Sequence, residues 1–418
     1  MRRIIFHCDC NNFYASCECL ERPELWRVPM AVAGDPGRRA GIVVAKNELA
    51  KRAGVKTTDT VWQAKKKCPD IVFVPPRHKY YAEVSQRVNA IYHTYTDYVE
   101  PASIDESYLD MTEAPAYYGV GAVELADQIR RRVREEIGIT ISVGVSFNKV
   151  FAKMGSDYKK PDATTEITED NFKELLWPLP VSELLFVGKA TGAALGKAQI
   201  LTVGQLAQQP RQRLVKLLGK SGDALWRYAN GLDDSPVRRF GEKEEVKSIS
   251  RGMTFKRDLV SEEDLIAGLA PLVDEVAKQL RRQGLKGKVV QVHIKTPQLQ
   301  TISRQTKLDH YTYLQHEIAD EAYELVRKNW LQMGQNAPVR ALTVGVTQLL
   351  PASLAAEQLS MFDLADGQTK VREKQERLEA AVDDLRQKMG DGVITLGARR
   401  GEMLGIEGDA AADDQGQT

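Results

Sequence analysis

The segment SIDESYLD at residues 103–110 contains two adjacent acids, Asp105 and Glu106, in a stretch that otherwise reads as a strand. Neighbouring strand residues point to opposite faces of a sheet, so two consecutive acids do not normally serve one site. A sharp turn near Ser103–Glu106 would break this alternation and aim both carboxylates at one point. Asp9, at the end of the first predicted strand, supplies a third acid. Three carboxylates on neighbouring strand ends suit Mg²⁺, and two such ions suit a phosphoryl displacement. Three solvated acids are the alternative that these residues leave open.

Composition and charge limit the class of protein. At 418 residues the chain is too long for one ordinary core, so we expect two or more domains. Its 43% hydrophobic and 28% charged residues are typical of a globular protein, without an apolar run long enough to span a membrane. The start, MRRIIFHCDC, lacks a secretory pattern, and we expect a cytoplasmic protein. The net charge of +1 divides into +7 on residues 1–350 and −6 beyond, where 8 Lys/Arg meet 14 Asp/Glu. A mildly basic body with an acidic tail is compatible with nucleic-acid binding.

The five cysteines permit two interpretations. They are Cys8, Cys10, Cys17, Cys19 and Cys68, and four of them form two C-x-C pairs. Paired zinc ligands are usually separated by about two to four residues, so ordinary buried thiols are the alternative to a zinc site. An odd number of cysteines in a cytosolic chain argues against a disulfide framework.

Hydrophobic periodicity divides the chain into parts. In chain order these are a mixed α/β part at 1–166, short helices at 167–240, a charged linker at 241–245, a second sheet-and-helix part at 246–350 and an acidic tail at 351–418. A helical stripe covers 78–98. The second sheet-and-helix part has the order β-α-β-β-α-β, with Ser261 capping its first helix. The tail contains one amphipathic helix near 370–389.

Three long motifs occur in order along the chain. They are DCNNFYASCE at 9–18, SIDESYLD at 103–110 and GVSFNKVFAKMGSDYKKP at 144–161. They closely resemble the Y-family (lesion-bypass, or translesion) DNA polymerases, in particular the bacterial DNA polymerase IV-like branch. The resemblance implies an α+β multidomain fold, a right-hand polymerase. Its parts would be a mixed α/β palm at 1–11 and 78–166, small fingers at 12–77, a helical thumb containing a helix-hairpin-helix at 167–240 and a β-α-β-β-α-β little finger at 246–350.

The resemblance also implies a catalytic site. Asp9, Asp105 and Glu106 match the catalytic, metal-binding acids, and the backbone carbonyl of Cys10 matches a further metal ligand. The implied cofactor is Mg²⁺, with two ions per active site.

Four residues match nucleotide-binding positions of the family: Phe13, Tyr14, Lys51 and Lys160. Tyr14 matches the steric gate, whose ring would clash with a 2′-hydroxyl and so select deoxynucleotides. Phe13 would lie beside it, with its backbone facing the triphosphate. Lys160 matches the lysine that neutralises charge as pyrophosphate leaves.

The segment VVAKNELAKRAGV at 43–55 departs from the family pattern. Most relatives have a Thr or Ser, a Tyr and an Arg that contact the triphosphate, where this chain has Ala45, Glu48 and Lys51. A hydroxyl is lost, a carboxylate would repel phosphate, and lysine lacks the two-pronged fork of arginine. The sequence therefore predicts weaker nucleotide affinity, or compensation by Lys46.

Two regions are candidates for DNA binding. Residues 181–208 resemble a helix-hairpin-helix, which holds the DNA backbone through amides at a helix start. Gly188 keeps the hairpin glycine, whereas Phe186 and Gln199 stand where the family commonly has glycine, and an ordinary helical corner is the alternative. The predicted strands of the last domain carry Lys247, Arg251, Lys256, Lys295, Arg304 and Lys307. Alternation would let several of these contact phosphates from one sheet face, although any one could be ordinary solvated charge.

The pentapeptide QLSMF at 358–362 resembles the bacterial sliding-clamp (β clamp) binding peptide. Leu359, Met361 and Phe362 would insert into an apolar pocket, and Gln358 would hydrogen-bond at its edge. Met361 replaces the usual leucine.

These features together predict a DNA-template-directed, low-fidelity DNA polymerase. It would add deoxynucleotides to a primer 3′ end by two-metal phosphoryl transfer, in translesion synthesis and DNA repair. The implied partners are primer–template DNA, deoxynucleoside triphosphates and the sliding clamp, and we expect a monomer. Its rival is a catalytically weak or inactive polymerase-like DNA-binding protein attached to the clamp, motivated by Ala45, Glu48 and Lys51. Another two-metal nucleotidyl enzyme, such as a cyclase, would not need the thumb, the basic sheet or the clamp peptide.

Overall fold

The computed structural model describes residues 3–35, 41–242, 245–334, 337–355, 368–390 and 393–394. These residues form two compact units, one from the chain up to residue 242 and one from residue 245 onward. Each unit has its own apolar core, as expected for a chain too long to fold around a single one. None of the described helices is long and apolar enough to cross a membrane.

The first unit combines two sheets with short helices. Its strands are β1 (Ile5–Cys10), β2 (Met30–Ala33), β3 (Val43–Lys46), β4 (Val72–Val74), β5 (Val99–Pro101), β6 (Glu106–Asp110), β7 (Ile141–Ser146) and β8 (Thr164–Ile167). Its helices are α1 (Phe13–Glu21), α2 (Glu48–Arg52), α3 (Val61–Lys67), α4 (His78–His93), α5 (Ala114–Tyr118), α6 (Ala122–Glu136), α7 (Lys149–Tyr158), α8 (Phe172–Leu176), α9 (Lys189–Lys197), α10 (Val203–Ala207), α11 (Arg211–Leu218) and α12 (Lys220–Ala229). Short 3₁₀ turns occupy Pro23–Arg27 and Val181–Glu183.

Helices cover both faces of the central sheet, whose strand order is β5-β6-β1-β7-β8. Alternation along β1 sends Phe6 and Cys8 into a core shared with α4 and α6. Ile5 lies on the opposite face and packs against Ala152 of α7. Because both faces are covered, every residue of β1 is buried, and the acid Asp9 is buried with them on the α7 side.

The rest of the first unit forms two smaller layers. Strands β3, β2 and β4 make a three-stranded sheet, with β2 antiparallel to β3 and parallel to β4. Helices α8 to α12 surround a separate apolar cluster that contains Leu176, Leu206 and Leu225. The short helices predicted for residues 167–240 are therefore confirmed.

The second unit has the element order predicted from the sequence. It contains β9 (Ser248–Leu259), α13 (Glu262–Arg282), β10 (Leu285–Lys295), β11 (Thr301–Thr312), α14 (Gln315–Met333), β12 (Val339–Pro351) and the tail helix α15 (Gln368–Met389). The sheet is antiparallel in the order β11-β10-β12-β9, and α13 and α14 pack on one of its faces. The hydroxyl of Ser261 accepts a hydrogen bond from the amide of Asp264 at 3.1 Å, so the predicted cap is confirmed.

Candidate active site

A turn between β5 and β6 brings the adjacent acids to the end of β1. The amide of Ser103 donates to the carbonyl of Glu106 at 3.2 Å, so the chain reverses just before β6. Glu106 pairs in register with Asp9, whereas Asp105 lies outside the ladder, and its carbonyl accepts from the amide of Cys10 at 2.9 Å. The hydroxyl of Ser103 donates to Asp105 Oδ1 at 2.7 Å, which is a structural role. The predicted turn before Glu106 is confirmed.

The α7 region brings two ammonium groups to these acids. Lys153 Nζ lies 3.1 Å from Asp9 Oδ2 and 2.6 Å from Glu106 Oε1. Lys160 Nζ lies 2.7 Å from Asp9 Oδ2, and both ammonium groups also contact Asp157. Lys160 was predicted from its motif, whereas Lys153 was not. The signal in the sequence was the i, i+4 spacing of Lys153 and Asp157, which places these two side chains on one face of α7.

The close approach of α7 to the sheet depends on Gly144 in β7. A Cβ at this position would lie 1.8 Å from the carbonyl oxygen of Ala152 and 2.5 Å from the amide nitrogen of Ser156. Any side chain would therefore push α7 away from β1 and β7. Ser156 also fixes the buried ring of His7, since its Oγ lies 2.8 Å from His7 Nδ1.

Burial and the lysines give the two paired acids opposite pKa shifts. Burial raises the pKa of Asp9, and the positive charges of Lys160 and Lys153 offset this only in part. The pKa of Glu106 is lowered, first by the imidazole of His7 and then by Lys153, against the effect of burial. Burial lowers the pKa of His7, which is therefore neutral at pH 7.

The donor set is chemically suited to Mg²⁺. Asp9, Asp105, Glu106 and the carbonyl of Cys10 offer only oxygen atoms. Asp9 is 5% exposed, where an unpaired carboxylate would be costly. Across the described residues, no three acidic, histidine or cysteine side chains converge on one point. In this arrangement the ammonium of Lys153 supplies the positive charge that a cation shared by Asp9 and Glu106 would supply.

The ring of Tyr14 in α1 rests on a second, fully buried ring. The Tyr14 and Tyr81 rings are stacked, with centroids 4.3 Å apart and planes inclined by 17°. The hydroxyl of Tyr81 donates to Glu18 Oε1 at 2.7 Å, and Arg77 donates to both oxygens of that carboxylate at 2.9 Å. Phe13 is buried in the core beside them. This support could not be predicted from the motif around Tyr14, because Tyr81 and Arg77 belong to a segment distant in sequence.

The positions that depart from the family pattern form a local ion-pair group. The carboxylate of Glu48 lies 3.6 Å from Lys51 Nζ and 3.9 Å from Arg52 Nε, all on α2. Lys46, considered above as a compensating residue, donates to the Thr57 hydroxyl at 3.1 Å. The negative charge of Glu48 is therefore neutralised within its own helix.

Two positions beside α9, one before the helix and one after it, keep a glycine-like backbone without glycine. Phe186 and Gln199 have φ values of 71° and 61°, in the left-handed region that glycine adopts most readily. Gly188 is the exposed N-cap of α9, and a Cβ there would meet no described protein atom within 4 Å. Nothing described inside the protein requires glycine at position 188, which leaves room for an external partner to approach the helix start.

Strand register divides the basic residues of the second unit between two faces. Arg251 and Arg304 lie in one row with the core residues Val344 and Val292, on the side covered by α13 and α14. Arg251 lies 3.9 Å from Glu275 of α13. The open face carries Lys256, Lys295 and Lys307. The expectation that several of the basic residues lie on one sheet face is met by Lys256, Lys295 and Lys307, whereas Arg251 and Arg304 lie on the other face.

Two remaining predictions concern the clamp peptide and the thiols. Residues 358–362, with Gln358, Leu359, Met361 and Phe362, lie outside the described residues. All five cysteines are buried, and none of them forms a disulfide. Burial raises the pKa of the thiols of Cys8, Cys10 and Cys17.

Comparisons with known proteins agree with this geometry. Residues 8–157 match the impB/mucB/samB family, and residues 246–361 match the impB/mucB/samB family C-terminal domain. The chain is 45% identical over 404 residues to a DNA polymerase IV of Acetivibrio thermocellus, covering 97% of this chain and 98% of that one. It is 37% identical over 398 residues to DNA polymerase IV 1 of Bacillus subtilis, covering 95% of this chain and 93% of that one. A solved Y-family DNA polymerase chimera has the same fold, with a TM-score of 0.71 at 24% identity, covering 83% of this chain and 99% of that chain.

The family matches and the matching fold define a Y-family DNA polymerase with a palm, small fingers, a helical thumb and a little finger. The chain belongs to the impB/mucB/samB family, in the branch of its DNA polymerase IV relatives, and it is a lesion-bypass DNA-directed DNA polymerase.

Proposed function

We propose that Asp9, Asp105 and Glu106, with the backbone carbonyl of Cys10, hold two Mg²⁺ ions in this polymerase. The observation that carries the proposal is the register pair of Asp9 and Glu106 at two strand ends, with Asp105 immediately before it. When bound, the ions supply positive charge to the entering and leaving oxygens of the phosphoryl transfer. Burial of Asp9 supports this assignment, because it makes a nearby cation favourable.

The protein's own side chains would bind and select the nucleotide. The ring of Tyr14, held flat against Tyr81, excludes a 2′-hydroxyl and so selects deoxynucleotides. The ammonium of Lys160, 29% exposed, exchanges its carboxylate partners for the triphosphate. Lys51, 52% exposed, contributes a weaker positive charge, and the backbone near Phe13 faces the phosphates.

The DNA interface would comprise the hairpin at Gly188 and the open face of the little-finger sheet. The exposed N-cap of α9 suits a phosphate contact, and Lys256, with Lys295 and Lys307, suits sequence-independent contacts to a DNA backbone. Lys247, exposed just before β9, remains a candidate. Arg251 is left out of the proposed surface because it faces α13.

The remaining assignments rest on the sequence motifs. The hand would divide at the boundaries given above, with palm 1–11 and 78–166, fingers 12–77, thumb 167–240 and little finger 246–350. The protein would act as a monomer in the cytoplasm on primer–template DNA and deoxynucleoside triphosphates. It would bind the sliding clamp through residues 358–362. Small fingers enclose the nascent pair loosely, which favours lesion tolerance over accuracy.

Primer extension tests the site assignments. Template-directed addition with Mg²⁺ is measured for the wild type, Asp105→Asn and Tyr14→Ala. Asp105→Asn should abolish extension while leaving primer–template affinity within about twofold, since it removes a metal ligand and retains the shape of the side chain. Tyr14→Ala should gain ribonucleotide incorporation. Full activity of Asp105→Asn would overturn the metal assignment, and unchanged sugar selection in Tyr14→Ala would overturn the gate.

A further inference from the structure

Helix α3 carries an exposed indole ring. The Trp62 side chain is 70% exposed, although tryptophan is usually at least half buried in folded proteins. By contrast, Trp177, Trp226 and Trp330 each donate an indole hydrogen bond to a backbone carbonyl within their own domain. Trp62 contributes little to any core, so its ring is available to a partner.

The surface around Trp62 is basic. Residues 41–74 contain seven Lys/Arg and three Asp/Glu, a net charge of +4, whereas the whole chain carries +1. Lys66 lies one turn along α3 from Trp62, with Nζ 5.5 Å from the ring centroid. Lys65 and Lys66 are both exposed, whereas Lys67 pairs with Asp59. An exposed aromatic ring with an ammonium group beside it, on a basic surface, is complementary to an unpaired base and its phosphates.

Backbone contacts tie this ring to the strand beside the nucleotide site. Thr60, which caps α3, forms a bridge with Ile42, and the amide of Thr58 donates to the carbonyl of Val43 at 2.8 Å. The same strand, β3, continues to Ala45, which packs in the cluster that also contacts Tyr14. Trp62 is therefore fixed relative to the sugar gate through a short sheet.

We propose that Trp62 and Lys66 form a stacking platform for an unpaired base of the template strand ahead of the primer end. The proposal rests on the polymerase function, which requires a single-stranded template to approach the nucleotide site. A base in duplex DNA is paired and stacked, so an isolated exposed ring suits the single-stranded segment rather than the duplex. Stacking needs no base-specific hydrogen bond, so the platform would accept any template sequence.

Binding measured against overhang length tests the proposal. Fluorescence anisotropy of full-length protein gives Kd for one primer–template with no 5′ template overhang and for the same duplex with six unpaired nucleotides, without Mg²⁺ or nucleotide. For the wild type, the overhang should lower Kd by about tenfold, the order expected for stacking one or two bases. Trp62→Ala should lose this gain and bind the blunt duplex as the wild type does. Lys66→Gln should lose part of it.

Two controls separate the platform from other effects. Trp26→Ala removes another partly exposed tryptophan, 46% exposed, and should keep the full overhang gain. Trp62→Phe should keep most of it, because a smaller aromatic face remains. An equal overhang gain in the wild type and Trp62→Ala would overturn the platform. No binding of either DNA by the wild type would instead overturn the DNA-binding assignments of the proposed function.

Discussion

The hydroxyl of Tyr81 should stabilise the protein without itself selecting the sugar. Tyr81→Phe removes one hydrogen bond to the buried carboxylate of Glu18 and leaves the ring that stacks on Tyr14. Hydrogen bonds to charged groups contribute about 1.5–3 kcal/mol. Glu18 keeps its bonds from Arg77 and Arg22, so we expect the lower end, a loss of about 1.5 kcal/mol.

The same helix supplies a matched control. Tyr92 in α4 is 1% exposed, and its hydroxyl faces the buried thiol of Cys8. Because a thiol is a weak hydrogen-bonding group, Tyr92→Phe should cost less than about 0.5 kcal/mol. Urea unfolding of both variants, followed by tryptophan fluorescence, gives the two free-energy changes. If Tyr81→Phe loses less than about 0.5 kcal/mol, or no more than Tyr92→Phe, the hydroxyl does not support Glu18.

Sugar selection distinguishes the ring of Tyr81 from its hydroxyl. Tyr81→Phe should discriminate against ribonucleotides as well as the wild type does, because the stacked ring remains. Tyr81→Met keeps an apolar side chain but removes the flat surface behind Tyr14, so ribonucleotide incorporation should rise severalfold. Single-nucleotide extension with matched ribo- and deoxynucleotides measures both. Unchanged discrimination in a folded Tyr81→Met protein would show that Tyr14 needs no support from behind.

Three further perturbations test other parts of the structure. Gln199→Gly should raise the free energy of unfolding by about 1 kcal/mol, because an exposed side chain is removed from a left-handed backbone position; an unchanged urea midpoint would contradict this. Lys153→Met should lower the thermal unfolding midpoint in EDTA, because the clustered acids lose a neutralising ammonium, and Mg²⁺ should restore most of the lost midpoint. Lys159→Met, which alters an exposed lysine nearby, is the control. Burial would raise the pKa of Glu100, but hydrogen bonds from Lys149 and a backbone amide outweigh it and lower the pKa. Its contribution to stability is therefore present above about pH 4.5 and lost as pH falls through the folded pKa, and Glu100→Gln should flatten that part of the pH–stability curve.

Features set by local periodicity could be predicted from the sequence. The element order of the second unit follows from alternating and helical patterns, and the cap at Ser261 follows from its place before an apolar stripe. The turn that places Asp105 and Glu106 at the end of β1 also follows, since two adjacent acids in a strand-like segment require an explanation. These features depend on residues close together in the chain.

Features set by packing between distant segments were harder to predict from the sequence. The contact of Lys153 with Asp9 depends on the close approach of α7, which Gly144 permits. The sheet face on which Arg251 lies could have been predicted, because Arg251 alternates in step with the apolar residues Ile249, Met253 and Phe255 along the strand. A count of positive charges on the strands does not fix which strand parity faces the core, so it does not tell which of the basic residues share the open face.

The support behind Tyr14 illustrates the same limit at the active site. Tyr14 was identified from a motif, whereas Tyr81 was identified only as part of an apolar helical stripe. Only the fold brings the two rings together, with Glu18 and Arg77 behind them. A motif can thus name the residue that contacts a substrate without naming the residues that hold it.

The charge of the proposed active site argues that metal ions and nucleotide bind together. Its four carboxylates are Asp9, Asp105, Glu106 and Asp157, and its two ammonium groups are Lys153 and Lys160. The protein alone therefore carries about two negative charges at this place, so two divalent ions without nucleotide would leave about two positive charges. A triphosphate brings about four negative charges. With the triphosphate alone the site would carry about six negative charges, and with the triphosphate and both ions it would carry about two negative charges. Only joint binding returns the site to its original charge, and the local pairing of Glu48 with Lys51 means that the departure on α2 changes this balance little.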